Sequence, residues 1–415
     1  MATKTAEPKA KPVSSNGSPL TTPLHPMIAS SLIHLRNGTP LADVPRGSVV
    51  AAKKAVEAYI EAEMGKVKNQ KMTEVEAALE ERADLQNGLA VHDFFKNAPE
   101  GTALHAHNTK RPRESVATVL EELGEDFKFI EIAMIDDVDP EVDADKPDSP
   151  ALQPVDAICE ALAAFAEKGV LGHVMTQIKP RAYDELVALL IKHPLLGSQP
   201  GRDLIQVFVD RVVHRDRDPR MVTAHSPLGG ALGKRVRLDS LVHVAEPMDG
   251  DRNEGDGAKG GINGLSLVPA PKQQREFREE QRATLATHGI NSARSWKGVG
   301  GVVIVTNRSL QEGGETVYVF SSTSRLRALI QAIFHETAEH EIRGAGKREC
   351  GPLETTAAIM NVFLDQLRET GWIKHGHVYV DYESMQVKIC VVFQPARPID
   401  SILIEFQEKV WTDAH

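Results

Sequence analysis

The sequence predicts a mixed α/β chain built from more than one domain. Three observations lead there. Short apolar runs alternate with amphipathic segments between residues 101 and 215. A glycine-dense stretch without periodicity fills residues 216–271, and helix and strand signals resume from residue 272. At 415 residues the chain is also longer than one ordinary core organises.

Residues 1–26 are rich in Pro, Ser, Thr and Lys and lack the apolar stretch of a signal peptide, so they read as a flexible N-terminal arm. Residues 27–100 read as a helical segment. Its apolar start, Met27–Leu35, ends at the turn signal Asn37-Gly38. Helices are predicted over Val49–Val67, with Ala55, Val56, Tyr59 and Ile60 on one side, and over Met72–Leu85, with Val75, Ala78, Leu79 and Leu85. Their strongly charged outer faces suit a position on a surface better than one in a core.

Residues 101–215 read as an open α/β outer domain. Strands are expected over Thr102–His107, Phe127–Ile135, Val170–Gln177 and Leu204–Val213. Between them lie helices Glu114–Leu123, stopped by Gly124, Val155–Lys168, stopped by Gly169, and Arg181–His193 after Pro180. Helices placed as crossovers make the sheet parallel. Residues 216–271 are a Gly-rich junction. Residues 272–415 form the C-terminal domain: strand Gly300–Asn307, helix Ser324–Glu341 capped by Thr323, helix Leu353–Thr370 stopped at Gly371, strands Val378–Tyr382 and Val387–Phe393, and a last apolar strand within Ser401–Phe406.

Composition narrows the partners. The 41% hydrophobic and 26% charged fractions are those of a globular protein, and no apolar run could span a bilayer, so no membrane insertion is expected. A net charge of -10 argues against direct nucleic-acid binding. Cys159, Cys350 and Cys390 form no C-x-x-C pair, and idle thiols in a reducing compartment are the plain reading, with a Cys350–Cys390 or inter-subunit bridge as the alternative.

Candidate chemical motifs fail on their own geometry. In His335-Glu-Thr-Ala-Glu-His340 the histidines are five apart, about 140° around a helix, where H-E-x-x-H needs about 40°. His335 and Glu339 have the right spacing but flank an apolar stripe as an ordinary polar face would. Gly255–Gly260 satisfies G-x-G-x-x-G without the flanking strand and helix that give the motif meaning. Gly229–Lys234 lacks the first Gly and the closing Ser or Thr of a P-loop. The acidic loop with Asp137, Asp139, Asp143 and Asp145 is interrupted by Pro140 and lacks the glycine and late glutamate of a calcium loop. His225-Ser226 has no nucleophile-elbow context. The expectation is no catalytic residue, no metal and no cofactor. The rival is an α/β enzyme, a metal-dependent hydrolase using His335 and Glu339 or a nucleotide binder using residues 255–261.

The last third resembles the contractile tail sheath proteins of bacteriophages and related injection machines. Gly289–Leu310 is similar to that family's G-I-N-x-x-R passage. Val317–Val319, Arg325–Thr337 and Gly371-Trp-Ile follow its strand, helix and G-x-I layout, and Val387–Phe406, with P-x-R-P-x-D-x-I, resembles its closing strand pair. The likeness spans residues 225–410, and Ser226–Gly233 resembles a small-residue segment of the sheath. The family's N-terminal P-G-V-Y-V-E-E arm has no counterpart, and a shorter arm within Thr21–Leu35 would have to serve.

The resemblance implies a structural subunit of the virion tail, assembled in the host bacterial cytoplasm, that polymerises as stacked helical rings round an inner tube and contracts without nucleotide hydrolysis to drive the tube through a bacterial envelope; a secretion-system or bacteriocin-type sheath subunit is the alternative that the same passages allow. Its partners would be further copies of itself, joined by exchanged terminal strands, the tail tube protein, and baseplate and terminator proteins. The inter-subunit strand would comprise Ser401, Ile402, Leu403, Ile404, Glu405 and Phe406.

Overall fold

The computed structural model describes residues 28–34, 83–98, 104–108, 112–138, 154–214, 224–235, 247–248, 265–269, 275–296, 301–313, 321–343, 351–369, 371–381 and 388–395. The predicted helix Val49–Val67, the start of Met72–Leu85, the strand Val317–Val319, the 255–260 loop and Ser401–Phe406 lie outside them. The fold is mixed α/β, as the sequence predicts.

Its frame is a six-stranded sheet in the order β2-β1-β3-β4-β5-β9. The strands are β1 (Ile28–His34), β2 (His105–Asn108), β3 (Phe129–Asp137), β4 (Leu171–Gln177), β5 (Ile205–Phe208) and β9 (Ile290–Asn291). Every neighbouring pair is parallel. The helices that alternate with the strands make this possible, because parallel neighbours need crossover connections. β4 is buried along its whole length, the mark of a parallel strand covered on both faces.

One face is packed by α2 (Pro112–Gly124) and α3 (Pro154–Ala166). Their approach is so close that a Cβ on Gly172 would stand 2.8 Å from the Leu162 side chain and 3.0 Å from that of Leu120. Strand residues on the other face include Glu131, His173 and Gln206, which are polar and fully buried. There the sheet meets α5 (Leu228–Arg235) and the start of α7 (Ser321–Arg343). Every segment from residue 27 onward thus contributes to this layer: β1 comes from 27–100, which the sequence reads as helical, β2 to β5 from 101–215, α5 from 216–271, and β9 and α7 from 272–415.

α1 (Ala83–Asn97) packs on α5 at unusually short range. A Cβ on Gly229 would lie 1.9 Å from the carbonyl oxygen of Ala90, and one on Gly233 2.4 Å from that of Phe94. Leu89, Ala90, Val91, Phe94 and Phe95 are buried, so the chain's early part contributes core here.

Several expectations are revised at the level of elements. The predicted helix ending at Leu85 lies largely outside the described residues, and α1 continues past Leu85 to Asn97. The Gly-rich junction contains the buried α5. The predicted strand Leu204–Val213 is two strands, β5 and β6 (Arg211–His214), because the chain leaves the sheet at Val209-Asp210 and β6 pairs antiparallel with β8 (Leu265–Val268). Gly169 and Gly371 both sit at φ 80 and stop their helices in the left-handed conformation, whereas Gly124 belongs to α2 without it. α7 begins at Ser321, so Thr323 is a first-turn residue and not its cap.

The motif that carried the resemblance has a structural reason. Asn291 is fully buried and its amide nitrogen donates to the carbonyls of Val207 (3.2 Å) and Arg308 (2.8 Å), while its oxygen accepts from the Arg308 N–H at 2.7 Å. It joins the sheet edge to the segment that follows β10 (Ala293–Trp296) and β11 (Gly301–Ile304). These two form a three-stranded sheet with β7 (Pro247–Met248). At the end of the described chain, α8 (Gly351–Glu369) covers an antiparallel hairpin of β12 (Ile373–Asp381) and β13 (Lys388–Pro395).

Candidate assembly site

The hairpin is where the described residues leave open sheet edges. Among the described residues β12 and β13 pair only with each other, so each keeps an outer edge of backbone donors and acceptors. The described pairing runs as far as Pro395, which has no N–H to donate to it. The hairpin is held firmly from beneath: the Asn361 side chain donates to the Val378 carbonyl at 2.7 Å and accepts its N–H at 2.8 Å. Ile389, Val391 and Phe393 turn toward the helices, while Val392 is 59% exposed and Tyr379 47%.

Beside β13 runs a groove of about 600 Å³, walled by Ile330 and Phe334 of α7, Met360 of α8, and Ile389, Val391 and Phe393. Its lining is mostly apolar. His335 stands exposed at this groove on α7, and the side chain of Glu339 lies outside the described residues. The predicted inter-subunit strand Ser401–Phe406 lies beyond β13 and outside the described residues.

A second cavity, about 640 Å³, opens at the carboxyl ends of β3, β4 and β5, lined by Gln177, Lys179, Asp210, Arg211, His225 and Glu276 among others. Burial pushes the Asp210 carboxyl up to about 7, outweighing the Ala293 N–H that donates to it at 2.6 Å and the Arg282 charge.

Two buried polar clusters were not singled out in the sequence. In the first, the Glu131 carboxylate accepts from Arg325 Nε and lies 3.0 Å from His173 Nδ1, and His173 Nε2 is 2.8 Å from Ser321 Oγ. Arg235 donates to Gln206 Oε1 at 2.6 Å, and Arg325 donates to the Arg235 carbonyl. Burial alone would raise the Glu131 pKa, but the Arg325 and His173 charges hold it down at about 2. Burial, aided by Arg325, lowers Arg235 to about 9. The cluster fastens α5 and α7 to the polar face of the sheet.

The second gathers His92, Asp93, His214 and His225 where α1 meets β6. Burial would raise the Asp93 pKa, yet the imidazoles of His214 and His225 hold it well below the usual carboxylate range. No motif could have announced either cluster, since Glu131 and Arg325 are 194 positions apart and Asp93 and His225 are 132 apart. Cys159 is buried and free, its thiol pushed up to about 11 by burial, and Cys390 is also free. No described helix is long and apolar enough to cross a membrane.

No protein-family model and no curated protein matches the chain in sequence. Solved structures do match it in fold. A chain of the anti-feeding prophage (AFP) baseplate superposes with a TM-score of 0.58 at 14% identity, covering 99% of both chains. A sheath tail protein from Desulfitobacterium hafniense matches over 67% of this chain and 58% of its own at 10% identity, with a TM-score of 0.37. One from Listeria innocua matches over 68% and 60% at 10% identity, with a TM-score of 0.40. The chain is thus similar in fold to a chain of the prophage baseplate.

Proposed function

We propose that this chain, sharing its fold from end to end with a baseplate component of a phage-like particle, is a structural subunit of a contractile injection machine. The reading is of a tail sheath-type protein that assembles as stacked helical rings around an inner tube and drives it through a bacterial envelope. The 272–415 segment would face the tube and the 101–215 segment would lie outward. Contraction would draw on the contacts formed between subunits and not on nucleotide hydrolysis. The observation that carries the proposal is the fold match over 99% of both chains. The sheath-like passages of the last third and the open hairpin with its apolar groove support it.

The inter-subunit link would be Ser401–Phe406, added as a strand to a neighbour's sheet, where main-chain hydrogen bonds persist while surface contacts change. A second reading is favoured by the baseplate match itself: a subunit that forms one ring at the end of a sheath and not the sheath proper. Electron microscopy of the purified protein distinguishes the two. Long tubes support the sheath, discrete rings support the end-ring, and a persistent monomer at high concentration counts against both. Deleting residues 401–415 is expected to leave a folded monomer, and polymer of normal length after that deletion would sink the strand-exchange proposal.

A further inference from the structure

The chemistry that an assembly role does not use lies in the buried histidine cluster. His92 Nδ1 is 3.3 Å and His214 Nε2 2.9 Å from the same oxygen of Asp93, Oδ1. His225 Nε2 is 2.7 Å from the other, Oδ2. All four side chains are within 5% of complete burial. The elements that bring them are far apart in sequence. α1 supplies His92 and Asp93, the last residue of β6 is His214, and His225 is fixed by a two-way backbone bridge with Val212 at 2.9 and 3.0 Å. The His214 and His225 rings stack 5.2 Å apart at 5°.

Zinc holds imidazole nitrogen and carboxylate oxygen at about 2.0–2.2 Å, so donor atoms around one tetrahedral ion stand about 3.3–3.6 Å from each other. His92, Asp93 and His214 each offer one donor atom, and the three atoms lie within 4.8 Å of one another. Side chains that are already converged would admit an ion by shifts of up to about 1 Å, opening the 2.9 Å His214–Asp93 contact and drawing the two histidines together. A carboxylate enclosed in the core beside converged imidazole nitrogens is the kind of oxygen donor found in ion pairs or on metals. The donor set has no thiolate, which suits zinc and its borderline first-row neighbours better than a soft ion.

We propose that His92, Asp93 and His214 bind a divalent first-row transition metal, with His225 holding the free carboxylate oxygen and so orienting the ligand. The site is enclosed in the core, and its role is structural. It ties α1 to β6 and to the segment before α5, the same junction that Gly229 and Gly233 bring into contact. The site is separate from the exposed His335, and it stands or falls independently of the assembly proposal.

The test uses full-length protein without a polyhistidine tag, incubated with zinc and then dialysed against metal-free buffer. Elemental analysis should find about one zinc per chain, and cobalt titration should give visible d–d bands that saturate at about one equivalent. Zinc should raise the thermal midpoint of chelator-treated protein. His214→Ala should abolish the stoichiometric metal. His225→Gln should weaken binding by about 10- to 100-fold, as loss of an orienting partner does, and His335→Ala should change nothing. If His214→Ala does not fold, His92→Gln and the parent's own metal content decide. A folded parent that retains no zinc, shows no cobalt bands and has the same midpoint with and without zinc overturns the proposal and leaves a hydrogen-bonded histidine cluster. Zinc whose stoichiometry falls with His335→Ala also overturns it.

Discussion

Replacing Arg325 by methionine should be among the most damaging single changes in the core. Arg325 is fully buried, donates to Glu131, and passes 5.9 Å over the ring of Phe129. Removing one member of a buried ion pair costs about 3–5 kcal/mol, because the partner's charge stays behind without compensation. Relief of the repulsion between Arg325 and Arg235 offsets part of this, so the lower end, about 3 kcal/mol, is the expected loss. A shift of Glu131 from 4.5 to about 2 corresponds to about 3 kcal/mol by linkage, which agrees. The sign follows from the direction. A carboxyl depressed in the folded state contributes fully above its unfolded value of 4.5, and the contribution drains away as pH falls toward about 2. Urea denaturation followed by circular dichroism at pH 7 and pH 3 reads both effects. Arg325→Met should lower the midpoint strongly at pH 7 and much less at pH 3, and adding Glu131→Gln should restore most of the loss. A single variant that loses under about 1 kcal/mol at pH 7, or a double variant no better than the single, would refute the reasoning.

Asp210→Asn should act in the opposite sense with pH. Its carboxyl is raised to about 7, so the parent loses stability as pH climbs from about 4 to about 7, up to about 4 kcal/mol. The asparagine variant can still accept the Ala293 N–H, and should match the parent near pH 4 and exceed it at pH 8 in thermal midpoint, with Arg211, Arg282 and Glu276 unchanged around it. Gly229→Ala should cost at least 1–3 kcal/mol, since its Cβ would meet the Ala90 carbonyl at 1.9 Å and only backbone could yield. Gly313→Ala, where nothing lies within 4 Å, should stay within about 0.5 kcal/mol and serves as the control in the same denaturation series. Val392→Lys, on the exposed side of the hairpin, should leave the melting midpoint of the monomer unchanged and reduce polymer seen by sedimentation and microscopy.

How much of this was legible in the sequence follows from where each element finds its partners. α2, α3 and the strands between them carry their own signals: an apolar period, continuous apolar runs, and glycine at 169 to stop a helix. α5 carries none, because Leu228-Gly-Gly-Ala-Leu-Gly233 is chosen for backbone proximity to a helix some 140 positions earlier, and small residues leave no amphipathic trace. α1 hides for the opposite reason: Leu89–Phe95 is buried all round, and its polar residues His92 and Asp93 face the core, so no solvent-exposed face sets a period. The split of Leu204–Val213 rests on Asp210 accepting an N–H from Ala293, a bond no local pattern announces.

The polar clusters sharpen the point. Glu131, His173 and Gln206 lie on one face of three neighbouring parallel strands, and alternation alone would assign that face to water. A parallel sheet leaves no such face, because its crossovers cover both sides. Polar residues at alternate positions of predicted parallel strands therefore require polar partners from somewhere else in the chain. Here they come from Arg235 of α5 and Ser321 and Arg325 of α7, helices drawn from the glycine-rich junction and the last third. Pattern gives the demand for such partners, and only the three-dimensional fold gives the supply. The same logic explains why the histidines around Asp93 were passed over one by one: each is unremarkable in its own segment, and their chemistry exists only where α1, β6 and the residue-225 bridge converge.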